Sequence, residues 1–191
     1  KNMDIPILYT SALKKVDKNL HFLSLQNFEN LKITLGAEFT RHRLAGCSFM
    51  FNNKLYNLLN RAYFIKDITC AHDVLATILC LATGGKVIFD KNSYILFRRH
   101  ENNTSVDGQQ LYRKLINEIK KVFYKNCSSS NLAKCIIVNY ESEITDYNLG
   151  LLSNIAFYRE SIIKTLRLAF SKEIDCGFWY YNLFIRLVIL L

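Results

Sequence analysis

The chain is predicted to be α/β, a sheet-and-helix part followed by helices alone, and three observations predict it. Short apolar runs of strand character fall within the first 107 of 191 residues: IPILYTS, LAGCSFMF, KVIF and YILF. Between them lie stretches whose apolar residues recur every three or four positions, the period of a helix face. Beyond residue 107 only that second period continues. Residues 1–107 therefore read as one α/β unit and 108–191 as a helical appendage.

Taken in order, Ile5 to Ser11 is the first strand, with Pro6 at its start and a charged exit through Lys14, Lys15, Asp17 and Lys18. His21 to His42 is irregular, with partial helical spacing at Phe22, Leu25, Phe28 and Leu31, and reads as a short helix and a loop. His42, between Arg41 and Arg43, reads as part of a solvated basic turn, with phosphate contact as the alternative. Leu44 to Phe51 is a buried strand leading to Asn52, whose side chain caps a helix carrying Leu55, Leu58, Leu59 and Ala62. His72 and Asp73 open a second helix with Val74, Leu75, Ile78, Leu79 and Ala82, closed by Gly84 and Gly85. Lys86 to Phe89 and Tyr94 to Phe97 form two short strands around an Asp90 to Ser93 turn.

The remaining chain is helical by spacing. Gly108 to Tyr124 sets Leu111, Leu115, Ile116 and Ile119 opposite Arg113, Lys114, Lys120 and Lys121. Leu132 to Tyr140 follows, then a longer helix from Asn148 to Phe170. The aromatic tail, Phe178 to Leu191, is too short to span a bilayer, which takes about 20 apolar residues. It suits equally a helix lying in a membrane interface, with Arg186 snorkelling, and a helix packed on the appendage.

Composition narrows the partners. Lys and Arg outnumber Asp and Glu by 25 to 16, a net charge of +9, spread along the chain without a basic block or a basic-aromatic ladder. Nucleic acid is therefore not expected as a partner; an anionic membrane face or anionic nucleotide sugars suit such a surface better. The six cysteines form no C-x-x-C pair and no zinc-like spacing with the four histidines, and read as reduced thiols of a cytosolic chain.

Between Leu44 and Ser105 ionisable side chains stand at element boundaries instead of on solvated faces. Asp73 lies in a first helical turn, where the local dipole favours a carboxylate. Arg98, Arg99 and His100 leave the last strand together, a setting for phosphate oxygens with a metal possible. Plainer readings stand beside these: a helix cap for Asp73, a surface loop for His100, close backbone packing for Gly46 and a structural role for Ser48.

Three motifs in order add to that reading: Gly46-Cys47-Ser48, His72-Asp73 opening a helix, and YILFRRHENN from Tyr94 to Asn103. Together they resemble the second half of a family 2 glycosyltransferase of the rhamnosyltransferase-like kind, whose last motif reads Leu-Tyr-Arg-x-His-x-x-Asn. The stretch Ile5 to Leu20 resembles that family's linking strand, so the resemblance covers Ile5 to Ser105. It implies a partial GT-A fold and transfer of a sugar from a nucleotide-sugar donor to a cell-surface polysaccharide or lipid-linked glycan acceptor. On the matching positions, Asp73 is implied as the general base, with His72, Gly46 and Ser48 on the acceptor side. Arg98 and Arg99 would then neutralise the donor diphosphate, and His100 would meet it and its divalent metal, Mn²⁺ or Mg²⁺.

The departures are specific. Val74 and Leu75 follow His72-Asp73 where the family has aromatic residues, and Phe97 replaces a tyrosine. No Asp-x-Asp occurs in the chain. The expectation is an acceptor-side half, inactive alone, whose N-terminal donor-binding half is missing, working in the cytoplasm and peripheral to the inner face of the cell membrane. A non-catalytic membrane-surface or partner-binding module is the other class.

Overall fold

Pro6 has no N–H for a ladder, and the first strand, β1 (Ile7–Val16), begins directly after it. A computed structural model describes residues 4–26, 28–63, 65, 68, 70–99 and 129–190 of the chain. It is mixed α/β, as expected, with β1 at the centre of a mixed sheet. One edge of β1 carries two short antiparallel strands, β2 (Phe22–Leu25) beside Lys14 to Val16 and β3 (Met50–Phe51) beside Leu8 and Tyr9. Along the other edge runs β4 (Lys86–Arg98), parallel to β1. Parallel neighbours need a crossover, and between β1 and β4 the chain passes through α1 (Leu35–Thr40), α2 (Asn53–Ala62) and α3 (His72–Ala82).

Local chemistry sets the joints. Asn52 caps α2 by accepting from Leu55 N–H at 3.2 Å, and the same oxygen accepts from Ile7 N–H at 3.0 Å. Its amide nitrogen donates to the Ile5 carbonyl at 2.9 Å. One side chain thus starts a helix and pins the head of β1 to it. α3 ends where expected, with Gly84 at φ +74 accepting the left-handed turn.

Four expectations need correcting. LAGCSFMF is not a buried strand: Gly46 to Ser48 form a 3₁₀ turn, and only Met50 and Phe51 pair, both exposed. Its small residues permit a tight turn against α3 where a strand would hold the chain off. The expected turn at Asp90 to Ser93 lies inside one continuous strand, as a bulge: Ser11 faces Asp90, Ala12 faces Ser93 and Leu13 faces Ile95. Asp90 organises it, accepting from Asn92 N–H at 2.8 Å and from the Tyr9 and Tyr94 hydroxyls at 2.8 and 3.1 Å. β2 arises where a helix was expected, since Asp17 accepts from the Asn19 and His21 amides and reverses the chain.

Every regular element among the described residues of the C-terminal part is a helix or a 3₁₀ turn. A helix over 129–140 (α4) is followed by α5 (Asp146–Phe157), α6 (Ile162–Ala169) and α7 (Trp179–Leu190). The fourth correction falls here, because the long helix expected from Asn148 to Phe170 is broken. Ser161 turns extended at φ −155 and caps α6 by accepting from Ile163 N–H. The helix expected over 108–124 lies outside the described residues, as does His100.

One core runs through both parts. Leu8, Leu55 and Ile78 from the sheet and its helices join Ile136, Leu152, Ile185 and Val188 in a single buried cluster. Polar bonds cross it too: fully buried Tyr140 donates through Oη to the Leu58 carbonyl at 3.0 Å, and Thr40 Oγ1 donates to the Ile174 carbonyl at 3.0 Å.

Candidate functional site

All six residues of α1 are buried, among them Glu38, whose side chain is 1 % exposed. A buried carboxyl needs a partner, and the chain supplies one four residues on. His42 Nδ1 hydrogen-bonds Glu38 Oε2. Arg41 leaves the helix extended, at φ −151 and ψ 95, so successive side chains point to opposite sides. Arg41 and Arg43 lie over the Phe178 ring, at 5.0 and 4.5 Å from its centre, while His42 points inward. The solvated basic turn expected at these residues is therefore corrected: the apolar start of α7 takes up both arginines, and His42 is 10 % exposed.

Inward, His42 Nε2 faces Asp73 Oδ2 at 3.7 Å, an ion-pair separation too long for a hydrogen bond. Burial alone would discourage a charge on this imidazole, but Asp73 and Glu38 outweigh it and lift its pKa from 6.5 to about 9. His42 is thus a cation at neutral pH. In return it holds Asp73 below the usual carboxylate range, against the upward pull of burial, and the Val74 N–H at 2.9 Å from Oδ1 adds to the effect. The Asp73 side chain remains 23 % exposed, so an ionised carboxylate at the head of α3 can be reached from outside.

Gly46 closes one side of this group. A methyl group at its α-carbon would stand 2.4 Å from His72 Nε2 and 3.2 Å from Asp73 Cβ. Only hydrogen fits without displacing the imidazole, so the turn and the helix start meet through a missing side chain. The structure thereby brings together Gly46, His72 and Asp73, three of the residues singled out in the sequence. Glu38 was missed, and His42 was read as part of a basic turn, not as its partner. The available signal was a lone glutamate inside the apolar run LGAEFT with a histidine four positions later.

Ser48 faces elsewhere. Its Oγ lies 2.8 Å from Thr10 Oγ1, donates to the Ala45 carbonyl and accepts from Ser11 N–H, so its hydroxyl fastens the turn to β1. Arg98 and Arg99 stand apart as well. Arg98 pairs with Val16 and the Arg99 amide donates to Val16 at 2.7 Å, five β1 residues beyond Ser11, a strand distance of roughly 15 Å. His100 lies outside the described residues. Cys47 is exposed beside the site, but burial and the neighbouring Asp73 raise its thiol pKa, which removes it as a thiolate at neutral pH.

Among the described residues no three His, Cys, Asp or Glu side chains are grouped as metal ligands. An open groove of about 620 Å³, lined by Ala12, Gln26, Phe28, Phe89 and Lys91, contains none of the residues selected from the sequence. What the assembled group offers is a fixed, ionised, partly exposed carboxylate with a buried cation behind it, an acceptor for a hydroxyl hydrogen bond. No family model, no curated protein and no solved structure matches this chain.

Proposed function

We propose that this chain carries the acceptor side of a glycosyltransferase, with Asp73 as the base that takes the proton of the attacking sugar hydroxyl. The observation that carries the reading is the Asp73 carboxylate itself, fixed by the Val74 amide and the His42 imidazolium yet open on one side. In the step, the acceptor O–H donates to Asp73, its oxygen bonds to the anomeric carbon of a nucleotide-activated sugar, and the bond from that carbon to the diphosphate oxygen breaks. The electron pair leaves with the nucleoside diphosphate. The proton remains on Asp73 until solvent removes it. His72, beside the carboxylate and packed against the bare α-carbon of Gly46, is placed to border the acceptor ring. The order of the three motifs along the chain, and the meeting of the first two through Gly46, His72 and Asp73, support this class over a general binding module. No residue is assigned to the diphosphate in this step, because Arg98 and Arg99 stand at the far end of β4, and no step is drawn through a metal.

The test is sugar transfer by the native polypeptide from its source, assayed with nucleotide-sugar donors and glycan acceptors. Asp73→Asn keeps the size of the side chain and removes its basicity. Turnover is expected to fall by about 10³-fold with the circular dichroism spectrum unchanged, since a positioned base is worth 10²- to 10⁴-fold. Equal turnover in the variant would remove Asp73 from the chemistry.

A further inference from the structure

α7 is apolar on two opposite sides. Tyr181, Ile185, Val188 and Ile189 enter the core, and at 100° per residue they cluster on one side of the helix. On the other side Trp179, Tyr180, Leu183, Leu187 and Leu190 form a second stripe, each between 44 and 78 % exposed. α6 repeats the arrangement. It buries Leu168 and Ala169, while Ile162, Ile163, Leu166 and Phe170 are 43 to 80 % exposed along one arc. The two stripes meet. Arg186, at the edge of the α7 stripe, donates to the Ala169 and Ser171 carbonyls, on either side of Phe170.

Nine large apolar side chains on two touching helices far exceed the scattered exposure of ordinary surfaces. The surroundings indicate what covers them. Arg167 follows the α6 stripe around the helix, and exposed Lys172 extends the basic margin past its end. The nearby acids are engaged within the fold: Glu160 with Lys164 at 3.0 Å, Asp175 with Lys32, and Glu173 with the Tyr147 hydroxyl at 2.5 Å. Tryptophan and tyrosine head the α7 stripe and leucines continue it, an amphipathic surface for the boundary between headgroups and acyl chains. The whole chain carries +9.

We propose that the outer face of α6 and α7 docks on an anionic lipid surface, the apolar stripes entering the headgroup boundary and the basic margin meeting lipid phosphates. This is an interfacial contact: no helix among the described residues is long and apolar enough to cross a membrane. It also resolves the two readings of the tail, because α7 serves the core with one face and leaves the other for lipid. Arg186 does not snorkel; its guanidinium closes the C-terminal end of α6. The proposal does not depend on the transferase reading.

Trp179 is the single tryptophan, so its emission reports on the stripe directly. The full chain is titrated with vesicles of phosphatidylcholine alone and of phosphatidylcholine with phosphatidylglycerol, following emission and co-sedimentation. The expected result is a blue shift and binding about tenfold tighter to the anionic vesicles, weakened by salt. The triple variant Phe170→Gln, Leu183→Gln, Leu187→Gln changes only exposed positions and is expected to keep its circular dichroism spectrum while losing the shift. Absence of sedimentation with either vesicle overturns the proposal, as does equal binding to both. A concentration-dependent blue shift without lipid, accompanied by dimers in sedimentation velocity, would assign the face to a second copy and overturn it as well.

Discussion

His42 joins two carboxyl groups that arrive from different elements, and its charge gives the fold a pH dependence of definite sign. Its folded pKa, about 9, lies above the 6.5 of an unperturbed histidine. The folded state therefore binds the proton more tightly, and the associated stability is complete below pH 6.5 and lost as the pH rises through about 9. Its size is on the order of 3 kcal/mol. The urea midpoint is expected to hold level between about pH 5 and pH 6.5, above the range where the carboxylates protonate, and to fall steadily toward pH 9. In His42→Gln that alkaline fall should vanish, with stability at pH 6 reduced by about 3 kcal/mol because Glu38 stays buried without its cation. An unchanged alkaline fall in the variant would place the titrating group elsewhere. At this scale the sequence was legible where local rules suffice. Asp73 in a first helical turn follows from its neighbours in the chain, whereas Gly46, read as part of a strand, sits in a 3₁₀ turn. The inward turn of His42 does not follow from its neighbours, because it depends on one extended residue, Arg41, and on aromatic rings of α7 far along the sequence.

Among the elements, those specified by their own caps and apolar spacing came out as read. α2 and α3 are examples, α2 set by its Asn52 cap, α3 closed at Gly84, and both by a repeating apolar face. β4 and the Leu44 to Phe51 stretch were misread for a common reason: polar and small residues inside an apolar run do not say whether the chain turns or bulges. Asp90 with three polar neighbours looked like a reversal, but its carboxylate is satisfied by Tyr9 of the adjacent strand, so the strand continues past the bulge. Asn52 shows the opposite case, a cap legible in sequence that does more than cap. Asn52→Ala removes the bonds to Leu55 N–H, Ile7 N–H and the Ile5 carbonyl together. A lost cap costs about 1 kcal/mol and each further hydrogen bond about as much again before water compensates. Urea unfolding is expected to give a loss of about 2 kcal/mol, with hydrogen exchange accelerated at the start of β1 as well as in α2. A loss confined to α2 would mean that the junction to β1 contributes nothing.

For the whole molecule the question is whether sheet and C-terminal helices form one cooperative unit. Composition and spacing suggested a boundary near residue 107, since strands stop there and helical periods continue. The buried cluster ignores it: Tyr140 reaches Leu58 across 82 residues, Asn148 donates to the Leu81 and Ala82 carbonyls, and Ile185 and Val188 belong to the same core as Leu8 and Ile78. Such pairings are invisible to any local period, because a helix reveals that it has an apolar face but not which partner covers it. Shared burial has a measurable consequence. Ile185 is 5 % exposed, and truncating it to alanine removes core contacts and leaves a cavity, a loss of about 2 to 5 kcal/mol. If the core is one unit, the most protected amides of α3 exchange through the same global opening as those of α7, and Ile185→Ala lowers both by the same free energy. If α7 were a separable layer, the substitution would loosen α7 alone and leave α3 at its original protection. Native-state hydrogen exchange on the two helices distinguishes these outcomes. A common loss is expected, because Thr40, two residues before His42, is bonded directly to the segment leading into α7.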